Sequence, residues 1–501
     1  MKKGIICIIL TVALLISLCA CGMGMDKEME DGMNMAPEAS YDELVGMTPT
    51  NGEIGSFIEN EFISTEKENV STFSADVDTA SYAYFRRLVE AGYSLSELIA
   101  TAGTSIRTEE MVNYFNYNYP EPAENELFST TAQIAPCPWN EEARLFVLGL
   151  QADKIEIASK NNLVFLIDVS GSMNSPDKLG LLKKAFSHLV DKLGEDDTVS
   201  IVTYAGEEKV VLEGCKGSKK DKIMKAVNSL GANGSTNGEA GLKKAYQIAE
   251  EFYIPDGNNR IIMASDGDLN VGMSSVEEIK NFVTEKKNGG VFMSVLGFGT
   301  GNYKDSMMET IADCGNGVYY YIDSEREAEK VFGTDIFSTL YTIAKDVKLQ
   351  LSFNQKYIDA YRLVGYENRV LDNEDFENDN KDAGDLGAGH SVTVCYEIIF
   401  KTDEVIVDDD LVIGLDVRYK QPNGEKSILE QYSFTKDIMT EAPNDDFKFI
   451  CAVIETSMII HKSKYIGEIT LENIKETLDG LTLSDSYREE FKELIYKLIE
   501  N

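Results

Sequence analysis

The feature that most constrains the fold is an alternation of short apolar runs with helix-length segments between residues 163 and 343. The first run, residues 163–167, is apolar at every position, as expected of a strand that is covered on both faces. The segments between the runs have apolar residues three and four positions apart and predict helices, the last of them over residues 325–343. This order predicts an α/β domain with a mostly parallel, doubly wound sheet.

Short oxygen-bearing side chains follow the ends of two of these strands. Asp168, Ser170 and Ser172 come directly after the first strand. Asp266 follows the fourth strand, and Thr236 lies in a glycine-flanked loop between them. Doubly wound sheets bind ligands beyond the carboxyl ends of their strands, where such loops meet. Hydroxyl and carboxylate oxygens suit hard divalent cations, so these residues predict a site for Mg²⁺ or Mn²⁺.

The Asp-Val-Ser-Gly-Ser segment that begins at Asp168, followed by Thr236 and Asp266 in order, resembles the metal-ion-dependent adhesion site (MIDAS) of von Willebrand factor type A (VWA) domains. The resemblance implies that the hydroxyls of Ser170, Ser172 and Thr236 bind the metal directly. It also implies that the two aspartates act largely through bound water, and that an acidic residue of a protein partner completes the coordination. A VWA scaffold that binds no metal is the alternative.

Sequence blocks on both sides of this domain resemble the flanking blocks of the YfbK-like VWA proteins, a bacterial family of exported proteins. The blocks are residues 74–82, 107–115, 138–140, 361–369, 381–384 and 387–390. The resemblance covers the chain past residue 65, and it implies a VWA domain set between N-terminal and C-terminal flanking domains.

The expected parts are an N-terminal flanking domain (65–155), the VWA domain (160–345), a β-rich domain (346–435) and a C-terminal helical region (440–501). Apolar residues at helical spacing predict helices over residues 65–120. Residues 128–151 and 346–435 are rich in β-branched and aromatic residues and predict strands. We expect these strands to form one β-sandwich, because the ends of an inserted VWA domain can lie close together.

The first residues are typical of a bacterial lipoprotein signal. A positively charged start precedes an apolar run over residues 5–18, which is shorter than the about 20 residues that span a membrane. The segment Leu-Cys-Ala-Cys that ends at Cys21 resembles a lipobox, which implies cleavage before Cys21 and lipidation of this cysteine. We therefore expect a signal peptide (1–20), a flexible, acidic, Met-rich tether (21–64) and an extracytoplasmic protein anchored to a bacterial membrane. An ordinary secretory signal is the alternative.

The charge of the chain narrows the choice of partners. Its 501 residues include 85 Asp plus Glu against 47 Lys plus Arg, a formal net charge of −38. Such a surface repels the phosphates of nucleic acids, so we expect no nucleic-acid partner. Electrostatic binding to anionic lipid headgroups is disfavoured for the same reason. Divalent cations and basic protein partners remain compatible with the charge.

The sequence also contains two weaker candidates for cation binding. The acidic loop over residues 372–385 could hold calcium, although it lacks the order of an EF-hand, and a solvated loop is the favoured interpretation. The methionines of the tether are soft ligands that could bind Cu(I), but an ordinary linker is favoured there.

Enzyme motifs are missing from the sequence. It contains neither the Gly-x-Ser-x-Gly elbow of hydrolases nor a phosphate-binding P-loop. His188, His390 and His461 are the only histidines, and none neighbours a candidate nucleophile. We therefore expect a protein that is not an enzyme. The expected function is protein binding or adhesion through the metal, and the alternative is an envelope assembly or maintenance subunit that docks a fixed partner.

Overall fold

The chain contains a parallel sheet set between an N-terminal and a C-terminal part. The computed structural model describes residues 58–154, 160–234, 238–255, 257–267, 276–299, 305–335, 341–422, 424–483 and 485–501. The signal peptide, Cys21 and the tether up to residue 57 lie outside these ranges. Across the described ranges, no helix has both the length and the apolar character that crossing a membrane requires.

The N-terminal part combines short strands with three helices. Its elements are β1 (Ile63–Ser64), β2 (Val70–Ser74), α1 (Ala80–Glu90), α2 (Leu95–Ala102), α3 (Thr108–Asn113), β3 (Phe128–Pro136) and β4 (Arg144–Ala152). The helices agree with the prediction for residues 65–120, but the prediction is wrong for β2. This segment pairs antiparallel with residues 348–352, far along the chain. Local spacing cannot reveal such a partner, which decides whether a short segment becomes a strand.

The central part confirms the predicted α/β class. Its elements are β5 (Asn161–Asp168), α4 (Leu181–Lys192), β6 (Thr198–Tyr204), β7 (Glu208–Lys216), α5 (Lys220–Asn228), α6 (Gly238–Glu251), β8 (Asn258–Ser265), α7 (Val276–Asn288), β9 (Phe292–Phe298), α8 (Asp305–Cys314), β10 (Tyr319–Ile322) and α9 (Glu325–Glu329). The strands form one sheet in the order β10-β9-β8-β5-β6-β7. All neighbours in this sheet are parallel except β7, which runs antiparallel to β6.

Helices cover both faces of this sheet, as the apolar runs predict. Phe165 and Ile167 of β5 pack in one core with residues of α4 and α5. Val164 and Leu166 point the other way and pack with residues of α6, α7 and α8. Because side chains alternate along a strand, a run that is apolar at every position needs cover on both sides.

The end of the central part differs from the predicted helix over residues 325–343. Helix α9 ends at Glu329 and is followed by a single π-helical turn, Lys330–Thr334. Thr342 already begins strand β11 (Thr342–Phe353), whose first residue pairs with Gly387. The prediction is therefore wrong at its C-terminal end, because apolar spacing alone does not show this pairing with a later strand. Residues 336–340 lie outside the described residues.

The remaining strands join those of the N-terminal part. They are β12 (Ile358–Val364), β13 (Gly384–Gly387), β14 (Ser391–Phe400), β15 (Ile413–Lys420) and β16 (Ser427–Phe434). One sheet has the order β1-β12-β14-β4-β3, and the other has the order β13-β11-β15-β16 with β2 also on β11. Strand β4 pairs antiparallel with β14, and Val147 lies opposite Cys395. The predicted pairing of residues 128–151 with residues 346–435 is therefore confirmed.

Aromatic rings fill the space between these two sheets. Phe353 of β11 stacks on Tyr361 of β12, with 4.0 Å between the ring centres. Phe128 of β3 meets Tyr419 of β15 edge to face at 5.1 Å. Both pairs join one sheet to the other, as expected for the core of a β-sandwich.

The chain ends in three helices, α10 (Asp445–His461), α11 (Leu471–Asp479) and α12 (Ser486–Glu500). Asn444 is the N-cap of α10, because its side-chain oxygen accepts a hydrogen bond from the Phe447 N–H at 2.8 Å. Phe115 of the N-terminal part packs against Phe449 of α10 and Phe491 of α12, at ring distances of 4.8 and 5.8 Å. The helical C-terminal region is thus confirmed, and it shares its core with the N-terminal helices.

Candidate metal site

Two of the predicted site residues lie at the same edge of the mostly parallel sheet. Strands β5 and β8 are parallel neighbours, with Ile167 opposite Ala264. Their carboxyl ends therefore bring Asp168 and Asp266 to one edge, as the sequence predicts. Both residues are buried, with 0% and 2% of their surface exposed.

Asp168 orients the loop that carries the hydroxyl groups. Its Oδ1 accepts a hydrogen bond from the Ser170 N–H at 2.8 Å, and its Oδ2 lies 3.5 Å from Ser265 Oγ. Tyr204 lies buried beside it at the end of β6. Burial, and then the negative charge of Asp168, raises the pKa of the Tyr204 phenol well above its usual value. Tyr204 is therefore a neutral phenol beside Asp168.

The two serine hydroxyls lie within hydrogen-bond distance of one another, a separation that two adjacent ligands of one cation also have. Ser170 Oγ and Ser172 Oγ lie 2.9 Å apart. Adjacent ligands of an octahedral Mg²⁺ ion, each about 2.1 Å from the metal, lie about 3.0 Å from one another. The side chains therefore fit a hard divalent cation. Bound there, such a cation would supply a Lewis-acidic positive centre for an anionic ligand.

The predicted ligand Thr236 lies outside the described residues, so its role stays a prediction. The structure does describe the start of its loop. Gly171 N–H donates to Gly234 O at 3.0 Å, and Asn233 N–H donates to Val169 O at 2.7 Å. These bonds hold the chain just before Thr236 against the serine loop.

One basic residue at this edge is not predicted by the sequence motifs. Lys178 Nζ donates to Asp266 Oδ2 at 2.9 Å and to Ser172 O at 3.0 Å. Lys178 belongs to a π-helical turn, Pro176–Gly180, directly before α4. Such turns are frequent at functional sites. The sequence signal that could have indicated Lys178 is its position shortly after the serine loop. That loop starts at the same edge of the sheet.

The acidic loop over residues 372–385 is held by lysines. Lys381 Nζ lies 2.6 Å from Asp375 Oδ2, and Lys420 Nζ donates to Asp379 O at 2.6 Å. These contacts bring positive charges of the chain to the loop, which disfavours a calcium site there. In the part of the chain that the structure describes, no three His, Cys, Asp or Glu side chains are arranged to hold a metal ion. The candidate site at the sheet edge differs because half of its described donors are hydroxyls.

Family models match the chain in three consecutive segments. "von Willebrand factor" matches residues 49–147, "von Willebrand factor type A domain" matches residues 162–334, and "Uncharacterized protein YfbK, C-terminal" matches residues 338–500. VWA domains typically mediate protein–protein interactions, and many bind a divalent metal. The matched order agrees with the three parts of the fold.

The chain is also similar to whole proteins and to a solved structure. The inter-alpha-trypsin inhibitor heavy chain H3 of Homo sapiens is 27% identical over 272 residues, which are 50% of this chain and 30% of that protein. A solved von Willebrand factor type A structure from Catenulispora acidiphila has a TM-score of 0.41 and 17% identity, covering 77% of this chain and 98% of that one. YfbK of Escherichia coli (strain K12) is 38% identical over 465 residues, which are 88% of this chain and 80% of that protein. The chain therefore belongs to the YfbK-like family of VWA domain proteins.

Proposed function

We propose that this chain is a lipid-anchored, extracytoplasmic module for protein binding and adhesion. Its VWA domain binds Mg²⁺ or Mn²⁺ at a MIDAS and captures a carboxylate of a protein partner. The site consists of Asp168, Ser170, Ser172, Thr236 and Asp266. The observation that carries the proposal is the 2.9 Å spacing of the Ser170 and Ser172 hydroxyls at the end of β5.

The contacts of the acidic groups indicate what kind of partner would bind. Asp168 accepts a hydrogen bond from the backbone of its own loop, and Asp266 pairs with Lys178. The hydroxyls of Ser170 and Ser172 are neutral. A cation held here would keep its preference for one more anionic oxygen, which an Asp or Glu of a protein can supply.

The membrane anchor of the proposal rests on the first residues of the sequence. The apolar run over residues 5–18 and the Leu-Cys-Ala-Cys segment support export and lipidation at Cys21. The net charge of −38 supports a lipid rather than surface charge as the link to the membrane. The Cys21→Ser variant should leave the membrane fraction, and its retention there would contradict lipid anchoring.

We also propose that the protein is not an enzyme. His461 Nδ1 lies 2.8 Å from Gly103 O, and His390 Nδ1 accepts a hydrogen bond from the Gly387 N–H at 3.1 Å. Burial lowers the pKa of His390 to about 4. These contacts support structural roles for both histidines. Catalytic turnover that survives Asp168→Ala would argue for an activity outside the metal site.

Thermal melting of the full-length chain tests the metal site. Millimolar Mg²⁺ or Mn²⁺ should raise the melting temperature, because a ligand that binds only the folded state stabilises it by mass action. The Asp168→Ala variant should lose this shift. Lys184→Met, which removes an exposed charge from α4, should keep it. If the wild-type protein shows no shift in melting temperature with either metal, the proposal is contradicted.

A pull-down from envelope extract tests the partner. It compares the unchanged chain with metal, the chain with EDTA, and Asp168→Ala. Reversible capture of a surface ligand that is lost on chelation supports adhesion. Recovery of one fixed envelope protein under all three conditions supports the alternative, an assembly or maintenance subunit.

A further inference from the structure

Lys178 brings a positive charge to the candidate metal site. Its ammonium lies 2.9 Å from Asp266 Oδ2 and also donates to Ser172 O. The Lys178 side chain is 13% exposed and the Asp266 side chain is 1% exposed. The pair is therefore largely withdrawn from water, where a charge acts more strongly on its neighbours than it does at the surface.

The surroundings of Lys178 hold it in this position. Its aliphatic chain crosses Gly299, where an added Cβ would lie 2.1 Å from Lys178 Cε. Gly299 has a φ of +80°, a backbone conformation that favours glycine. The preceding residue, Asp177, is held by Arg87 of α1, with 2.8 Å between Nη2 and Oδ2. Lys178 is thus fixed by packing and by its neighbours, unlike a lysine on an open surface.

The charges at the site show how this lysine would affect a bound cation. The carboxylates of Asp168 and Asp266 would balance the charge of a bound divalent cation, and Lys178 would leave one positive charge in excess. A positive charge beside the cation opposes its binding. The same charge favours an anionic ligand that reaches the cation.

We propose that Lys178 controls how strongly the site binds its cation and an anionic partner. As a positioning residue, it lowers the affinity for the cation and raises the affinity of the loaded site for a carboxylate. This inference rests on the proposed function, since it requires a site that binds a divalent cation. A purely structural ion pair would not change the two affinities in opposite directions.

Titration calorimetry of the full-length chain with Mn²⁺ tests the first effect. Lys178→Met removes the charge and keeps an unbranched side chain, and it should bind Mn²⁺ about tenfold more tightly. Lys178→Arg keeps the charge and should bind Mn²⁺ as the unchanged chain does. Lys184→Met is the matched control, because it removes one exposed charge from α4, and it should change the affinity by less than about twofold.

Acetate serves as the carboxylate probe for the second effect. In the unchanged chain, acetate at matched ionic strength should tighten Mn²⁺ binding, because two ligands that favour each other's binding do so reciprocally. In Lys178→Met this gain should be smaller. An equal gain in both proteins would overturn the effect of Lys178 on carboxylate binding.

The outcomes separate this inference from the proposed function. Mn²⁺ affinity that is unchanged or weaker in Lys178→Met overturns the inference and leaves the metal site intact. An unchanged chain that binds no Mn²⁺ overturns the proposed function, and the inference with it. Melting without metal checks that each variant folds. If Lys178→Met does not fold, Lys178→Gln replaces it with the same expected results.

Discussion

Charged residues have opposite roles in two regions of this molecule. The metal edge, named for the cation that we propose binds there, consists of Asp168, Ser170, Ser172 and Asp266 at the ends of β5 and β8. The seam consists of Arg86, Arg369, Glu109 and their partners, which join the parts of the chain to one another. Both regions combine buried acids with basic side chains and hydroxyls, and at the seam the Tyr114 hydroxyl is bonded to both Arg86 and Glu327.

The seam supplies its own counter-charges. Arg86 of α1 contacts Glu327 of α9 at 2.8 Å and Glu490 of α12 at 3.1 Å, and it also pairs with Asp323. A single guanidinium therefore connects the N-terminal part, the VWA domain and the last helix. Around Arg86, each of these carboxylates therefore meets a positive charge that comes from another part of the chain.

Arg369 repeats this arrangement with another helix of the VWA domain, α8. Its Nε lies 2.9 Å from Asp76 Oδ2, and its Nη2 lies 3.5 Å from Glu309 Oε1 in α8. The comparison with the metal edge shows that residue types alone do not identify a binding site. At the metal edge, Asp168 and Asp266 also have partners within the chain, and what marks the candidate site is its position at the ends of two parallel strands.

Replacing Arg86 with methionine should cause the largest loss of stability. The side chains of Arg86 and Glu327 are 4% and 2% exposed, so the variant leaves buried carboxylates without their partner. Removing one member of a buried pair costs about 3–5 kcal/mol. Urea unfolding of the full-length chain measures the loss.

The double variant Arg86→Met with Glu327→Gln is the control for this prediction. It should recover part of the stability, because it removes one of the carboxylates left unpaired. A loss below about 1 kcal/mol in Arg86→Met would show that the seam contributes little more than surface pairs do.

A second test concerns Glu109, an acid at the seam with an incomplete set of partners. Its Oε2 accepts a hydrogen bond from the Tyr366 N–H at 2.9 Å, and its buried Oε1 has no hydrogen-bond partner among the described residues. Burial, and then the charge of Glu367, raises the pKa of Glu109 to about 8. An unfolded glutamate titrates near about 4.3.

The folded chain therefore holds a proton on Glu109 that the unfolded chain has lost between these pKa values. Stability should fall as the pH rises through this window and become level above about pH 8. Glu109→Gln should reduce the slope and be the more stable protein at about pH 9, by a few kcal/mol at most. Urea unfolding across the pH range measures this. Glu90→Gln, an exposed acid on α1, should leave the slope unchanged.

At the metal edge, we expect a substitution to remove metal binding with little loss of stability. Ser172 is exposed, so Ser172→Ala should cost less than about 1 kcal/mol without metal. It should nevertheless lose the stabilisation by metal, which would reach about 2.7 kcal/mol at a hundred times the dissociation constant. Melting with and without Mn²⁺ measures both effects, and Ser187→Ala on α4 is the matched control. Full metal stabilisation in Ser172→Ala would exclude this hydroxyl as a ligand.

The metal edge could be predicted from the sequence because each step depends on a local pattern. An apolar run predicts a covered strand, and parallel strands place their carboxyl ends together. Asp168, Ser170 and Asp266 follow from these two rules, and the structure places them as expected. The MIDAS resemblance added the expected roles of the ligands, with Thr236 among them.

The seam could not be predicted in this way, because its contacts join residues that are far apart in the sequence. Strand β2 depends on β11, and the start of β11 depends on β13. Trp139 is also far from Glu397 in the sequence, and its buried Nε1 donates to Glu397 Oε1 at 2.8 Å. Lys178 was missed for a related reason, since only the folded turn brings its ammonium to Asp266.

The smallest effect should come from an ion pair that joins two elements at the surface. Lys184 of α4 lies 2.6 Å from Glu325 of α9, and their side chains are 59% and 58% exposed. Water and salt screen such a pair, and ordering two long side chains offsets the attraction. Lys184→Met should therefore show no measurable change in urea unfolding at low or high salt. A large loss of unfolding free energy would show that pairing between elements, rather than burial, determines what these charges contribute. The contrast between exposed pairs and the seam would then be wrong.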